Sequence, residues 1–294
     1  MTRTRATTES LYAAARSLHG VTTVAEAGAA IELRGVTKRF VSPTGKSFTA
    51  LRDLDLTVAP GEFTAIVGPT GCGKSTTLAL ISGLEAPSAG TVSVFGEPVT
   101  AVGRGVGYVF QRDAVFPWKS VLDNVAMGPR FRGVTTTEAN ADARQWIARV
   151  GLDGFERYYP HQLSGGMRKR VALAQTLINH PRILLMDEPF SALDVQTRAL
   201  MENELLDLWS ATGSSVVFVT HDLEEAIGLA DRVVVITAGP GTVKGTYTVD
   251  LARPRNIAEI RFQPRFIELY EEIWNDLRDE VLVSYERSKH SVAS

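Results

Sequence analysis

The stretch "GPTGCGKST" at residues 68 to 76 places Gly68, Gly73, Lys74 and Ser75 in the spacing G-x-x-x-x-G-K-[ST]. That spacing suits the holding of phosphates. Gly68, Pro69, Thr70, Gly71, Cys72 and Gly73 form a turn whose amides face inward. Lys74 meets the outer phosphates, the Ser75 hydroxyl ligates Mg²⁺, and Thr76 completes the loop as the helix "KSTTLALISG" begins. Far downstream, "LSGGM" at 163 to 167 offers a second cradle for an anion. It combines the Ser164 hydroxyl, the Gly165 and Gly166 amides and a helix N-terminus, flanked by Leu163 and Met167. A ligand-free glycine turn and an ordinary capped helix are the alternatives for the two stretches. Why one chain should carry two phosphate cradles is the question these residues raise.

A pair of adjacent carboxylates adds the chemistry of hydrolysis. "ILLMDE" ends an apolar strand with Asp187 and Glu188, at the edge where open α/β sheets bind ligands. Asp187 suits the metal and leaves Glu188 to orient or deprotonate an attacking water. Otherwise the pair caps the strand end before Pro189.

The elements that must position these residues follow from the hydrophobic pattern. "IELRGVTKRF" and "TALRDLDLTVAPGEF" read as strands, the second closed by a Pro-Gly turn. Strand-like runs recur at "GVGYVFQ", "RILLMDE", "SSVVFVTHD" and "DRVVVIT", with helical patterns between most of them. This alternation predicts a mainly parallel α/β sheet buried on both faces. Residues 112 to about 163 lack a strand pattern and read as a helical insert. Within "MRKRVALAQTLI", Met167, Val171, Ala174 and Ile178 fall on one packing face.

Composition excludes several classes. The 294 residues are 44% hydrophobic and 22% charged with 25 glycines, the profile of a globular chain of one or two domains. With 31 basic against 33 acidic residues the net charge is −2, so no global field collects nucleic acid or anionic lipid. Cys72 is the only cysteine, which excludes internal disulfides and implies a reducing compartment. No apolar run approaches the roughly 20 residues that cross a bilayer. Residues 1–30 are Arg/Ser/Thr-rich and are expected to form a disordered tail or loose helix.

At this point the chain resembles the nucleotide-binding subunits of ABC transporters, over nearly all of residues 31 to 285. The motifs fall in the family's order: the loop at 68–76, Gln111 after "GYVF", the signature "LSGGM", "ILLMDE", the "SALD" turn at 191–194 and His221 after "VVFVT". The resemblance implies a P-loop NTPase fold of ABC ATPase type, with a mainly parallel core sheet, an antiparallel β subdomain and the helical insert. It also answers the opening question, because in that family two subunits pair head to tail and the signature of one faces the phosphate loop of the other.

Matched to the family pattern, Gln111 contacts Mg²⁺ or the attacking water and reports to the insert. His221 hydrogen-bonds the γ-phosphate and holds Glu188 and water in register, with a plain capping histidine as the alternative. Asp194 belongs to the turn that couples the two sites, and Phe40 stacks on adenine unless it is a core aromatic. The implied ligands are ATP and Mg²⁺. One departure is Met167, at a position where the family most often has glutamine; the anion contacts come from serine and backbone, so binding is expected to survive.

"VFQRDAVFPWKSVLDNVAMGP" and "ARPRNIAEIRFQPRFIELYEEIWNDLRDEV" look like the nitrate, sulfonate and taurine importers. That branch implies an ATP-driven homodimer at the cytoplasmic face of the inner membrane, two integral membrane permease subunits, an extracytoplasmic solute-binding protein and no nucleic acid. Phe116, Pro117 and Trp118 either grip a helix of a permease or pack the insert's own core. After an ATPase domain at 31–262, residues 263–294 read as a docking helix with no effector site, its apolar stripe at Phe266, Tyr270, Ile273, Trp274, Leu277 and Val281. A soluble ABC ATPase of DNA repair or translation, an exporter subunit, and a P-loop kinase or GTPase are the competing functions. The solute stays open among nitrate, an alkanesulfonate, taurine, bicarbonate and small heterocyclic vitamin precursors.

Overall fold

The computed structural model describes residues 28–42, 44–112 and 114–292. The expected tail therefore lies outside the described residues up to residue 27, and Ala30 is already buried. The chain alternates strands and helices around a six-stranded sheet. In chain order its strands are β3 (Phe63–Val67), β6 (Val106–Val109), β7 (Ile183–Asp187), β8 (Ser215–Thr220), β9 (Arg232–Ile236) and β10 (Val243–Thr248). Their spatial order is β10-β9-β3-β8-β7-β6. All neighbours pair in parallel except β10, which runs antiparallel on β9 at one edge.

Buried on both faces, the parallel strands are nearly all apolar, and successive side chains divide between two cores. Phe63, Ala65, Val216, Phe218, Leu184 and Met186 face one core, while Ile66, Val217, Val219, Ile183 and Leu185 face the other. Phe63 is fully buried and meets the Trp209 ring edge-on at 5.3 Å and the Phe218 ring at 5.9 Å. A second, four-stranded antiparallel sheet has the order β2-β1-β4-β5, from β1 (Ile31–Val41), β2 (Ser47–Val58), β4 (Ala89–Val94) and β5 (Glu97–Pro98). It packs on α1 (Lys74–Ser82). The sequence pattern had not shown β4, β5 or β10.

Between residues 112 and 163 the described residues hold α2 (Val121–Val125), α3 (Met127–Phe131), α4 (Thr136–Arg149) and a short 3₁₀ turn (Pro160–Gln162), with no strand. Ser120 and Thr135 cap α2 and α4 by accepting the Asp123 and Glu138 amides. Then come α5 (Gly165–Leu177), α6 (Val195–Thr212), α7 (Leu223–Leu229), α8 (Ile257–Ile260) and α9 (Pro264–Val292). Val171, Ala174 and Ile178 of the expected α5 face are buried and Met167 is partly so.

The stripe expected on α9 needs correction. Phe266, Leu269, Ile273 and Leu277 are buried, whereas Trp274 and Val281 are both 39% exposed. Polar bonds set this rotation: the Tyr247 hydroxyl donates to Asp276, and Lys244 pairs with Glu280 at 2.9 Å. Asp276 and Glu280 are one turn apart, so docking both against β10 turns Trp274 and Val281 away from the core.

Phe63→Ala is expected to destabilise the fold by about 3–5 kcal/mol through the cavity left against Trp209 and Phe218. Urea unfolding checks this, and a cost below about 1 kcal/mol would contradict the packing described.

Candidate functional site

Parallel pairing brings four loops to one edge of the sheet. Val67 is level with Thr220, Asp187 with Val219, and Val109 with Met186. The residues that follow these strand ends therefore lie in a row: the loop from Gly68, then His221, Glu188 and the segment to Gln111. Ligands bind at such an edge in open α/β sheets.

The loop at 68–76 ends on α1, whose N-cap, Gly73, supplies no side-chain cap. The first amides of α1 are left to an anion. Gly73 has φ 101°, and an added Cβ would lie 2.5 Å from Leu51 Cδ2 and 3.0 Å from the Ala50 carbonyl, so only glycine fits there. Lys74 is buried and folds back, its Nζ donating to the Gly68 carbonyl at 2.8 Å and the Pro69 carbonyl at 3.0 Å. Thr70, Gly71 and Ser75 are exposed, Thr76 is half-buried, and Cys72 is buried beneath the turn. Burial pushes the Cys72 thiol above its ordinary value, the opposite of what a reactive thiolate needs.

Ser75 and the carboxylate strand meet directly: Ser75 Oγ donates to Asp187 Oδ1 at 3.0 Å. Tyr108, which the sequence reading did not single out, makes a long contact from its hydroxyl to Asp187 Oδ2 at 3.5 Å. Desolvation raises the Asp187 carboxyl above its usual range, and the nearby Glu188 charge adds to this. The Ser75 hydrogen bond and Lys74 pull it back. Among the described residues no group of three or more His, Cys, Asp or Glu side chains could hold a metal. One hydroxyl and one carboxylate 3.0 Å apart nevertheless fit Mg²⁺, which keeps its waters and shares its ligands with substrate phosphates.

Glu188 adopts φ 43°, a left-handed backbone that costs about 1–3 kcal/mol in a non-glycine residue. It is held there by its amide on the Val219 carbonyl at 2.9 Å and by Ser191 Oγ, which donates to the Glu188 carbonyl at 3.0 Å. The turn aims the carboxylate at two neighbours. Gln111 Nε2 donates to Glu188 Oε2 at 3.2 Å, and His221 Nδ1 stands 3.1 Å from the same oxygen. Oε1 of Glu188 is not used by either.

The second cradle stands apart. Ser164 caps α5 by accepting the Met167 amide at 3.3 Å, and Gly165 is exposed. Among the described residues, no hydrogen bond joins residues 163–167 to the loop at 68–76. The signature instead abuts the helix that follows the turn at 191–194. A Cβ on Gly166 would come within 3.1 Å of Thr197 Cγ2, in the first turn of α6, which Asp194 caps by accepting the Thr197 amide at 3.0 Å. Lys169 of α5 is 4% exposed and donates to the Gln111 carbonyl at 2.6 Å. The helix carrying one cradle is thus bonded to the loop that serves the other. Neither Tyr108 nor Lys169 carries a sequence signal beyond its place beside a motif.

The family profile described as ABC transporter matches residues 51–191. The nitrate import ATP-binding protein NrtD of Synechocystis sp. is 41% identical over 253 residues, covering 84% of this chain and 95% of the relative. The chain belongs to the ABC transporter family. A taurine import ATP-binding protein, TauB of Burkholderia thailandensis, is 43% identical, covering 76% of this chain and 88% of its own length. Among solved structures, the dimeric ATP-binding cassette MJ0796, in a post-hydrolysis state with ADP and Pi, superposes with a TM-score of 0.68 at 31% identity, covering 76% of this chain and all (100%) of that one. The chain is an ABC-type ATPase, with the P-loop fold, parallel core sheet and antiparallel β subdomain of that family.

Two further features of this ATPase lie away from the phosphate loop. Phe40 is 37% exposed on β1, with Lys38 Nζ 4.9 Å from its ring centre, so it is not a core aromatic. Phe116 and Phe131, the latter 83% exposed, line a groove of about 330 Å³, and Trp118, 71% exposed, reaches it only through its contact with Phe116. Phe116 and Trp118 meet edge to face at 5.5 Å rather than packing the interior. Fully buried Asn124 moulds this loop. Its Oδ1 accepts the Phe116 amide at 2.7 Å, while its Nδ2 donates to the Phe116, Lys119 and Ser120 carbonyls at 3.2, 3.1 and 3.0 Å.

Cys72 in the folded protein is expected to resist iodoacetamide at pH 8 and to label completely in denaturant. Mass spectrometry reads the difference, and equal labelling rates would contradict a buried thiol.

Proposed function

We propose that the chain is the ATP-hydrolysing subunit of an importer for a small anionic or zwitterionic solute of the nitrate, sulfonate or taurine kind. Two copies pair head to tail around ATP at the cytoplasmic face of the inner membrane. They dock on two integral membrane permease subunits, which receive solute from an extracytoplasmic binding protein. The observation that carries this reading is the division of the site. One edge holds the uncapped α1 together with Asp187, Glu188, Gln111 and His221. A second helix end, capped by Ser164, has no bonded role in its own chain's loop.

In this reading the amides of residues 71–76 and Lys74, released from its two carbonyls, hold the β- and γ-phosphates of ATP. Ser75 and Asp187 hold Mg²⁺, with Gln111 at its margin; when bound, the ion neutralises charge on the phosphates. Glu188 accepts the proton of the attacking water at Oε1, because Gln111 and His221 occupy Oε2. His221 orients that carboxylate and faces the γ-phosphate. Phe40 stacks on adenine from the β1 edge. The partner's Leu163–Met167 segment closes the γ-phosphate from the other side, and Asp194 lies at the seam. Closure is favoured while the γ-phosphate is present and lost after hydrolysis.

Residues 112–163 serve as the insert that meets the permease. A short amphipathic helix fits the groove beside Phe131 and Trp118, where an exposed aromatic patch otherwise has no use in the chain. The relatives that import nitrate and taurine support the solute class.

Glu188→Gln is expected to bind ATP as wild type does and to lose at least about 10²-fold in turnover, since the amide accepts no proton; near wild-type ATPase activity would overturn the assignment. Separately, Trp118→Lys is expected to abolish co-purification with the permease while leaving the ATPase of the isolated subunit intact. Undiminished co-purification would contradict the docking groove.

A further inference from the structure

A cavity of about 510 Å³, walled by α6, α7, the end of α8 and α9, borders His221 and has no phosphate-loop residue in its lining. Its polar lining is Arg198, Glu202, Asp222, Glu224, Glu225 and Arg261. Most of these groups are already paired. Arg198 bridges Asp222 at 2.9 Å and Glu225 at 3.5 Å, Arg261 reaches Glu224 at 3.5 Å, and Glu225 accepts the Thr220 hydroxyl at 2.6 Å. Unsatisfied among the described residues are the buried Nε atoms of Arg198 and Arg261 and the carboxyl of Glu202. Glu202 is 3% exposed and lines the cavity, yet it makes no hydrogen bond or ion pair among the described residues. A buried carboxyl without a partner is costly, and such a group in a concave site is a candidate for binding.

We propose that this cavity binds a small organic cation, an ammonium group on an apolar or aromatic stem, with Glu202 as its counter-ion and Tyr270 and Trp274 as its aromatic wall. Four carboxyl groups line the space against two guanidinium groups, each in an ion pair although its Nε lacks a hydrogen-bond partner, so the balance of charge disfavours an anion. The Tyr270 and Trp274 rings lie nearly parallel, with centres 6.5 Å apart. Aromatic faces of this kind attract cations. Phe266, Ile257 and Ile260 supply an apolar floor for the stem.

The titration of Glu202 gives the site a signature. Burial, then the Glu225 and Asp222 charges of α7, push Glu202 up to about 8, against the pull of Arg198 on α6 and Arg261 after α8. Glu225, also raised mainly by burial, sits at about 7. His221 and Glu224 at α7 and Tyr270 on α9 complete the titratable lining. At neutral pH Glu202 therefore holds a proton, which a bound cation displaces. Below pH 8 the affinity should fall tenfold for each pH unit, the sign required when only the ionised carboxylate binds.

Occupancy would tie α6 to α7, whose N-cap Asp222 follows His221 directly. A ligand here thus reaches the catalytic edge without touching nucleotide, and the α9 tail contributes an effector wall where the sequence had suggested docking alone.

Isothermal titration calorimetry of the full chain with phenethylammonium tests it, beside 2-phenylethanol and 3-phenylpropionate. The cation is expected to bind one site about tenfold more tightly at pH 7 than at pH 6, with release of a proton seen as buffer-dependent heat. The alcohol and the acid should not compete. Glu202→Gln, with basal ATPase retained, should lose the binding and its pH dependence, and Trp274→Ala should weaken it several-fold. No heat from the cation at millimolar concentration, equal binding of the alcohol, preference for the acid, or undiminished binding by Glu202→Gln would each overturn the proposal. If Glu202→Gln fails to fold, the wild-type pH dependence together with Trp274→Ala decides.

Discussion

The parallel register of β3, β8, β7 and β6 is the constraint on which the rest of the site depends. Because Val67, Thr220, Asp187 and Val109 end their strands at one edge, residues far apart in the chain converge without a long loop to carry them. The hydrophobic burial that fixes this register comes from side chains of both cores, so any slip would move every residue of the candidate site together. Within that frame a single local strain, the left-handed Glu188, turns one carboxylate toward Gln111 and His221 while Asp187 keeps its bond to Ser75. Backbone energy is stored where aim matters, and the bonds to Val219 and Ser191 hold it there.

Much of this could be read from the chain. The phosphate loop, the paired carboxylates, the signature and His221 are legible because each chemistry demands particular side chains at short fixed spacings. The four parallel strands beside them are legible because burial on both faces leaves unbroken apolar runs. β4 and β10 were not, since "AGTVSV" and "VKGTYT" are short, carry internal glycines and alternate weakly. The rotation of α9 was also hidden. Several apolar residues compete for its inner face, and the choice is made by Asp276 and Glu280 bonding to β10, partners no local pattern names. Tyr108, Asn124 and Lys169 were missed for the same reason: each acts through a tertiary hydrogen bond.

The bond from Lys169 to the Gln111 carbonyl gives the two cradles a physical connection. If, as proposed, the N-terminus of α5 serves a neighbour's nucleotide while its second turn grips a loop of its own site, this helix can pass a change at one site to the other as a rigid displacement. On the opposite flank, Gly166 against Thr197 and the Asp194 cap bring the signature to the turn that follows Glu188. Closure around nucleotide would therefore engage both contacts at once, in keeping with coupling carried by packed two-state elements. The aromatic patch moulded by Asn124 emerges from the segment just past Gln111, which places any pull from a membrane partner one short loop from the catalytic edge.

On the proposed reading the second cradle is completed only by another copy of the chain. The most direct measurement is the mass in solution of Glu188→Gln by light scattering, with and without Mg-ATP, beside the double variant that also carries Ser164→Arg. The account predicts a shift from monomer to dimer that requires ATP and is abolished by Ser164→Arg while ATP still binds. A dimer that forms equally well with Ser164→Arg, or a loss of ATP binding by that variant in the monomer, would contradict it.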